Sequence, residues 1–260
     1  MGHNTLGVIP RTVKWKRVIN LLEEDGNAGD IIAASAEAAE KHLLGASDDP
    51  VYVEAVRLLL MIPAAARSYN FADALRKNDL PIAKQPQLLD LLVAATSRLD
   101  EVKRSTNRRT DLGELAGRAL SETLNQMIGE ALPGLFDATT DDVQAIARKL
   151  SYSKGISALT RAFIANITRA TLAYYLERAL ANYTVDPDRS SIAINRTGFE
   201  NELAAYTHEA TRIIQEFSGG WYAKTLYERG EIITADAARF GAVCLKKVVE
   251  ELRLRRAEYA

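Results

Sequence analysis

The stretch ISALTRAFIANITRATLAYYLERALANY, residues 156–183, is the most continuously apolar segment of the chain. Leu159, Phe163, Ile167, Tyr174 and Leu180 recur at helical spacing along one side, and Ile164, Leu172, Tyr175 and Leu176 widen the stripe beyond the usual third of a helix circumference. A helix apolar over so wide an arc belongs at the centre of a helical protein, and this one is expected to be the most buried. Arg161, Arg169, Glu177 and Arg178 interrupt it, so it does not read as a membrane span.

Downstream, TVDPDRSSIAINRTG (184–198) is the longest weakly patterned loop, and its Ser-Ile-Ala-Ile run has the composition of a short edge strand without an evident partner. Phe199, Leu203, Tyr206, Ala210, Ile213 and Phe217 restore the helical period. The segment FSGGWYAKTLYERG (217–230) follows, the densest cluster of glycine, aromatic and basic residues in the chain. Gly219-Gly220 reads as a break between helices, with a short segment from Trp221 to Arg229 beyond it. Thr234 then caps a terminal helix whose apolar face carries Phe240, Cys244, Leu245, Val248 and Leu252.

Upstream, a short helix is expected over 142–150, led by Thr140 and Asp141 and separated from the central helix by Gly155. Another starts at Asp111 with Glu114 in capping-box fashion, its cap being either Asp111 or Thr110, and stops at Leu132-Pro133-Gly134. The polar segment 105–110 before it is the expected boundary between an N-terminal helical lobe (11–104) and a C-terminal one (111–260), closely packed or continuous. Leu88, Leu92, Ala95 and Leu99 define a five-turn helix, and Asn70 caps a short one over 71–77. Asp49-Pro50 supplies an N-cap and a first-turn proline for VYVEAVRLLLMI, which Pro63 should stop or kink. Ile32, Ala36, Ala39 and Leu43 form a narrow stripe among alanines that permit close helix approach, and Trp15, Val18, Ile19 and Leu22 share a face of the first helix. Residues 1–10 read as an extended arm. The expected fold is all-α, a multi-helix globular bundle of roughly nine to eleven helices.

With 260 residues, 47% of them hydrophobic, the chain can bury a substantial core without disulfide or metal staples. Its 33 basic and 34 acidic residues leave a formal charge of -1, so attraction to nucleic acid or a membrane surface would need a local patch. One cysteine, Cys244, suits a reducing compartment, and no signal pattern or spanning helix is evident, so cytoplasmic is the expectation.

No catalytic signature stands out. His3, His42 and His208 have no His or Cys at metal-ligand spacing, so no metal is expected. His208 and Glu209 are adjacent on a helix and point about 100 degrees apart, which prevents them from sharing one substrate atom. Cys244 lies on an apolar stripe and reads as core. No glycine-rich segment has the strand and spacing of a phosphate loop, and no cofactor is expected. An enzyme would have to assemble its site from dispersed carboxylates and arginines, and a deep pocket of converging polar groups would be its sign.

Two surfaces stand out. Trp221, Tyr222, Lys224, Tyr227 and Arg229 combine the residue types enriched at protein interfaces, although the same aromatics could cap the chain's own core. Arg11, Lys14, Lys16 and Arg17 flank Trp15, the chemistry of a nucleic-acid contact; further basic clusters lie at Lys103, Arg104, Arg108 and Arg109 and at Lys246, Lys247, Arg253, Arg255 and Arg256. The expectation is a non-enzymatic, helical interaction subunit of a larger assembly, with protein partners and with self-association open to the same surfaces. A nucleic-acid-binding accessory factor is the alternative.

Overall fold

The computed structural model describes residues 12–24, 26–107, 110–134, 138–183 and 196–259. Among them are eleven α-helices and no strand: α1 (Val13–Glu23), α2 (Ala28–Gly45), α3 (Pro50–Ala65), α4 (Phe71–Lys77), α5 (Leu88–Thr106), α6 (Asp111–Leu124), α7 (Thr140–Leu150), α8 (Ser153–Tyr183), α9 (Arg196–Ala210), α10 (Arg212–Arg229) and α11 (Thr234–Tyr259). The expected arm and the Ser-Ile-Ala-Ile strand both lie outside the described residues.

Two helices share the centre, not one. α3 is buried over nearly its whole circumference and packs against α4, α5, α6, α7, α8 and α11. α8 buries Leu159, Phe163, Ile164, Ile167 and Leu172 against α2, α6, α7, α9 and α10 but keeps a polar face toward solvent. The difference follows from charge: Arg161 and Arg169 stand on that face, whereas the two charged side chains within α3, Glu54 and Arg57, are buried together and neutralise each other. Arg57 donates from Nε and Nη2 to the two Glu54 carboxylate oxygens, both at 2.8 Å, and Arg98 of α5 adds a third bond at 2.8 Å. Pro63 sits in the last turn of α3, and the helix ends two residues beyond it, at Ala65.

Helix starts follow the expected caps. Asp49 Oδ1 accepts from the backbone N–H of Val51 at 2.8 Å and of Tyr52 at 3.0 Å, and Thr110 Oγ1 accepts from Gly113 at 2.9 Å. The Thr110 hydroxyl in turn donates to Asp49 Oδ2, which ties the starts of α3 and α6 together. Of the two candidate caps, Thr110 and Asp111, it is Thr110 that caps α6. Asn107 closes α5 in the left-handed region at φ 49°, a conformation asparagine tolerates. The core is continuous across the boundary expected at 105–110: one buried cluster runs from Trp15 to Leu252 and draws on both halves. Past Leu124 the α6 pattern loosens into a π-type turn, Asn125–Gly129.

The largest departure from expectation is α10. Gly219-Gly220 is not a break; the helix runs straight through it from Arg212 to Arg229 and ends at Gly230, whose φ of 76° is the left-handed conformation of a C-terminal cap. Gly219 is where α10 presses onto the start of α8. A Cβ there would lie 2.4 Å from Ser153 Oγ and 2.9 Å from both Ser153 O and Ser157 Oγ, so no larger residue fits without movement. The glycine that costs helix propensity is offset by the close approach it permits.

Candidate functional site

The continuous α10 helix sorts the 217–230 segment by its face. Tyr222 is 1% exposed, donates its hydroxyl to Leu60 O of α3 at 3.2 Å and lies under the guanidinium of Arg67. Burial raises its phenol pKa above the ordinary value. Trp221 is half-buried with its ring 4.4 Å from that of Phe240 on α11, and Phe217 meets the same ring at 5.8 Å. Both aromatics therefore bind α10 to its own neighbours, and Tyr222 leaves the set of residues a partner can reach. Tyr227, at 93% exposure, stands on the opposite face with Lys224, which pairs with Glu228 at 3.8 Å. Arg229 lies 3.5 Å from the buried carboxylate of Asp236 at the start of α11.

Trp15 is likewise 1% exposed and belongs to the core, so it is not available to stack on a base. Arg11 lies outside the described residues, and Lys16 is exposed. Lys14 and Arg17 meet Glu37 of α2, each at 3.6 Å, and from the far end of the chain Arg256 reaches the same carboxylate at 3.6 Å. Arg253 pairs with Glu40, one turn away on α2. The hydrogen bond from Arg253 is the main reason that the Glu40 carboxyl sits below the ordinary carboxylate range. Members of the N-terminal and C-terminal basic clusters thus meet along α2, four cations around two carboxylates, while Arg255 turns to Glu209 and Lys247 lies over the Phe217 ring. Periodicity within single segments could not have revealed this.

The feature that sequence reasoning missed lies on α5. This helix buries Leu88, Leu91, Ala94, Ala95 and Leu99 against α3 and α6, so its stripe is broader than expected. One further pair of apolar residues, Leu89 and Val93, points outward at 69% and 56% exposure. Val93 lines a groove of 520 Å³ between α5 and the 81–83 connection, with Pro81 and Ile82 opposite and Arg98, Glu101 and Arg104 along the α5 edge. Arg76 holds the connection in place by donating to Ile82 O at 2.8 Å. Arg98 is fixed between Glu54 in the core and Glu101 on the surface, at 2.8 Å to each. Arg104 makes no ion pair among the described residues. An apolar centre with a charged rim and one uncompensated cation has the anatomy of a recognition surface.

The remaining chemistry is sparse. Cys244 is buried on α11, and burial raises its thiol pKa far above the range in which a thiolate forms. His42 is exposed at the end of α2, yet partial desolvation lowers its pKa despite the nearby Asp111 carboxylate. Among the described residues no three His, Cys, Asp or Glu side chains converge to hold a metal, and no helix is long and apolar enough to cross a membrane. A second cleft, between α8, α9 and α10, does collect polar groups, but among the described residues its lining holds no carboxylate. No family model matches the chain, and comparison with curated proteins and with solved structures gives no match.

Proposed function

We propose that the chain is a helical interaction subunit of a larger protein assembly, and that the outer face of α5 is its docking surface. The observation that carries this reading is the Leu89–Val93 pair, exposed beside a preformed 520 Å³ groove whose rim includes Arg104, which has no ion-pair partner among the described residues. The partner chemistry that fits is a segment presenting apolar side chains to Leu89, Val93 and Ile82 and a carboxylate to Arg104. Tyr227 and Lys224 on α10 remain a secondary contact surface.

The test is co-purification of the assembly from cells producing the chain at native level. The double variant Leu89→Glu, Val93→Glu should lose the partner while its unfolding midpoint stays near that of the wild type, because both side chains are already in water. A strictly monomeric wild-type chain that carries no partner would overturn the reading.

A nucleic-acid role is the second reading, supported by the convergence of Lys14, Arg17, Arg253 and Arg256 on one surface. Glu37 and Glu40 neutralise part of that surface, so the expected binding is weak and steeply salt-dependent. Replacing Lys14, Lys16 and Arg17 with alanine should lower both the affinity and the salt slope; absence of binding at low ionic strength removes this reading.

A further inference from the structure

The cleft between α8, α9 and α10 encloses 580 Å³, a volume in the range of about 300–1,000 Å³ typical of small-molecule sites. Its floor is alanine: Ala158, Ala162 and Ala165 come from one face of α8, and Ala204 and Ala205 from α9. Its polar groups are Arg161, Asn166 and Arg169 of α8, Thr207 and His208 of α9, and Gln126 and Gln215 at the edge. The α8 groups are braced from behind. Arg161 donates to Gln215 Oε1 at 2.9 Å and to His208 O at 3.1 Å, Asn166 donates to Thr123 Oγ1 at 3.0 Å, and Arg169 pairs with Glu122.

Arg161 is the group the fold leaves unanswered. Both of its described acceptors are neutral, no carboxylate contacts it among the described residues, and its Nε is buried without a hydrogen-bond partner. A half-buried guanidinium without a counter-charge is costly; Nε itself is sealed from the cleft, and a bound anion at the Nη1/Nη2 edge that lines the cleft would supply the missing counter-charge. We infer that this cleft is a binding site for a small organic anion, with a carboxylate or phosphate on Arg161, a slim body over the alanine floor, and a second polar end toward Asn166 and Arg169. Eight residues separate the two arginines, about 12 Å along the helix, so an elongated ligand spans them. No carboxylate is among the described lining residues, which favours anions over cations. The bond from Arg161 to His208 O also braces the junction of α9 and α10 and holds the guanidinium edge toward the cleft.

The site is independent of the α5 groove, and its test needs no partner protein. Inorganic pyrophosphate and the linear dicarboxylates from succinate to suberate are titrated at constant ionic strength, with heat of binding and melting temperature as readouts. At least one should bind saturably at a single site and raise the melting temperature; which arm responds distinguishes a phosphate from a carboxylate ligand. Arg161→Gln should abolish the response and Arg169→Gln weaken binding about tenfold, while Arg239→Gln, an exposed arginine on α11 away from the cleft, should leave it unchanged. Should Arg161→Gln not fold, Ala162→Leu fills the cleft while keeping every charge, and must abolish binding in the same way. The inference is overturned if no probe binds, if Ala162→Leu or Arg161→Gln binds as the wild type does, or if Arg239→Gln weakens binding as much as they do.

Discussion

Gly219 and Gly220 are neighbours in one helix, yet alanine should act on them in opposite directions. In a helix interior, alanine is favoured over glycine by about 1 kcal/mol, and both substitutions gain this. At position 220 nothing lies within 4 Å of the added Cβ, so the whole gain remains. At position 219 the Cβ meets Ser153 Oγ at 2.4 Å and Ser153 O at 2.9 Å. The hydroxyl can rotate away, but the carbonyl belongs to the first turn of α8 and moves only if the two helices separate. Overpacking of this kind costs about 1–3 kcal/mol, leaving Gly219→Ala neutral to about 2 kcal/mol destabilised. In a chain this size 1 kcal/mol moves the melting temperature by about 2–4 °C. Thermal and urea unfolding of the two variants should therefore show Gly220→Ala above the wild type and Gly219→Ala at or below it. Adding Ser153→Ala should restore part of the loss at 219 and none of the gain at 220. If Gly219→Ala stabilises as much as Gly220→Ala, the close contact of α10 with α8 is refuted, and with it the continuous helix that displaces the expected glycine break.

Three further outcomes follow from particular contacts. Burial alone would raise the Glu54 carboxyl, but hydrogen bonds from Arg57 and Arg98 more than offset it and hold the pKa below the ordinary range. A depressed folded pKa contributes stability that is present above the unfolded value and lost as pH falls through the folded one; acid titration of unfolding should show this loss in the wild type and a shallower one in Glu54→Gln. At neutral pH Glu54→Gln should be less stable by about 3–5 kcal/mol, since Arg57 is left buried without its counter-charge. Tyr222→Phe should cost about 1 kcal/mol through its bond to Leu60 O, whereas Tyr227→Ala should stay within about 0.5 kcal/mol of wild type by urea unfolding. Thr110→Ala removes both the α6 cap and the bond to Asp49, and should lower stability by about 1–2 kcal/mol in the same assay.

What the sequence made legible was local. The Asp49-Pro50 start of α3 and the Asn70 cap with its 71–77 helix depend on side chains bonding to backbone a few residues away, and such chemistry is written in short spacings. Gly219-Gly220 misled because propensity counts the cost of glycine but not the neighbour that requires it; Ser153 is 66 residues upstream. Trp15 satisfied two patterns at once, the apolar face of α1 and an aromatic among basic residues, and packing against the core decided between them. Leu89 and Val93 were hidden for a different reason. The period selects the best-buried stripe of a helix, and a second exposed pair beside it looks like ordinary surface until the 81–83 connection forms a wall opposite. The approach of Arg161 to His208 and of Arg256 to Glu37 exists only through helices packed side by side, and no spacing within one segment reports it.

The central claim, that the outer face of α5 receives a partner protein, is tested most directly by site-specific photo-crosslinking. A photoreactive residue is placed at position 93 or, for comparison, at 227, in cells producing the chain at native level. The account predicts one discrete adduct from position 93, identified by mass spectrometry as a segment carrying apolar residues beside a carboxylate, and its loss when Arg104→Glu is added. No discrete adduct from position 93, or an adduct indifferent to Arg104→Glu, would contradict it.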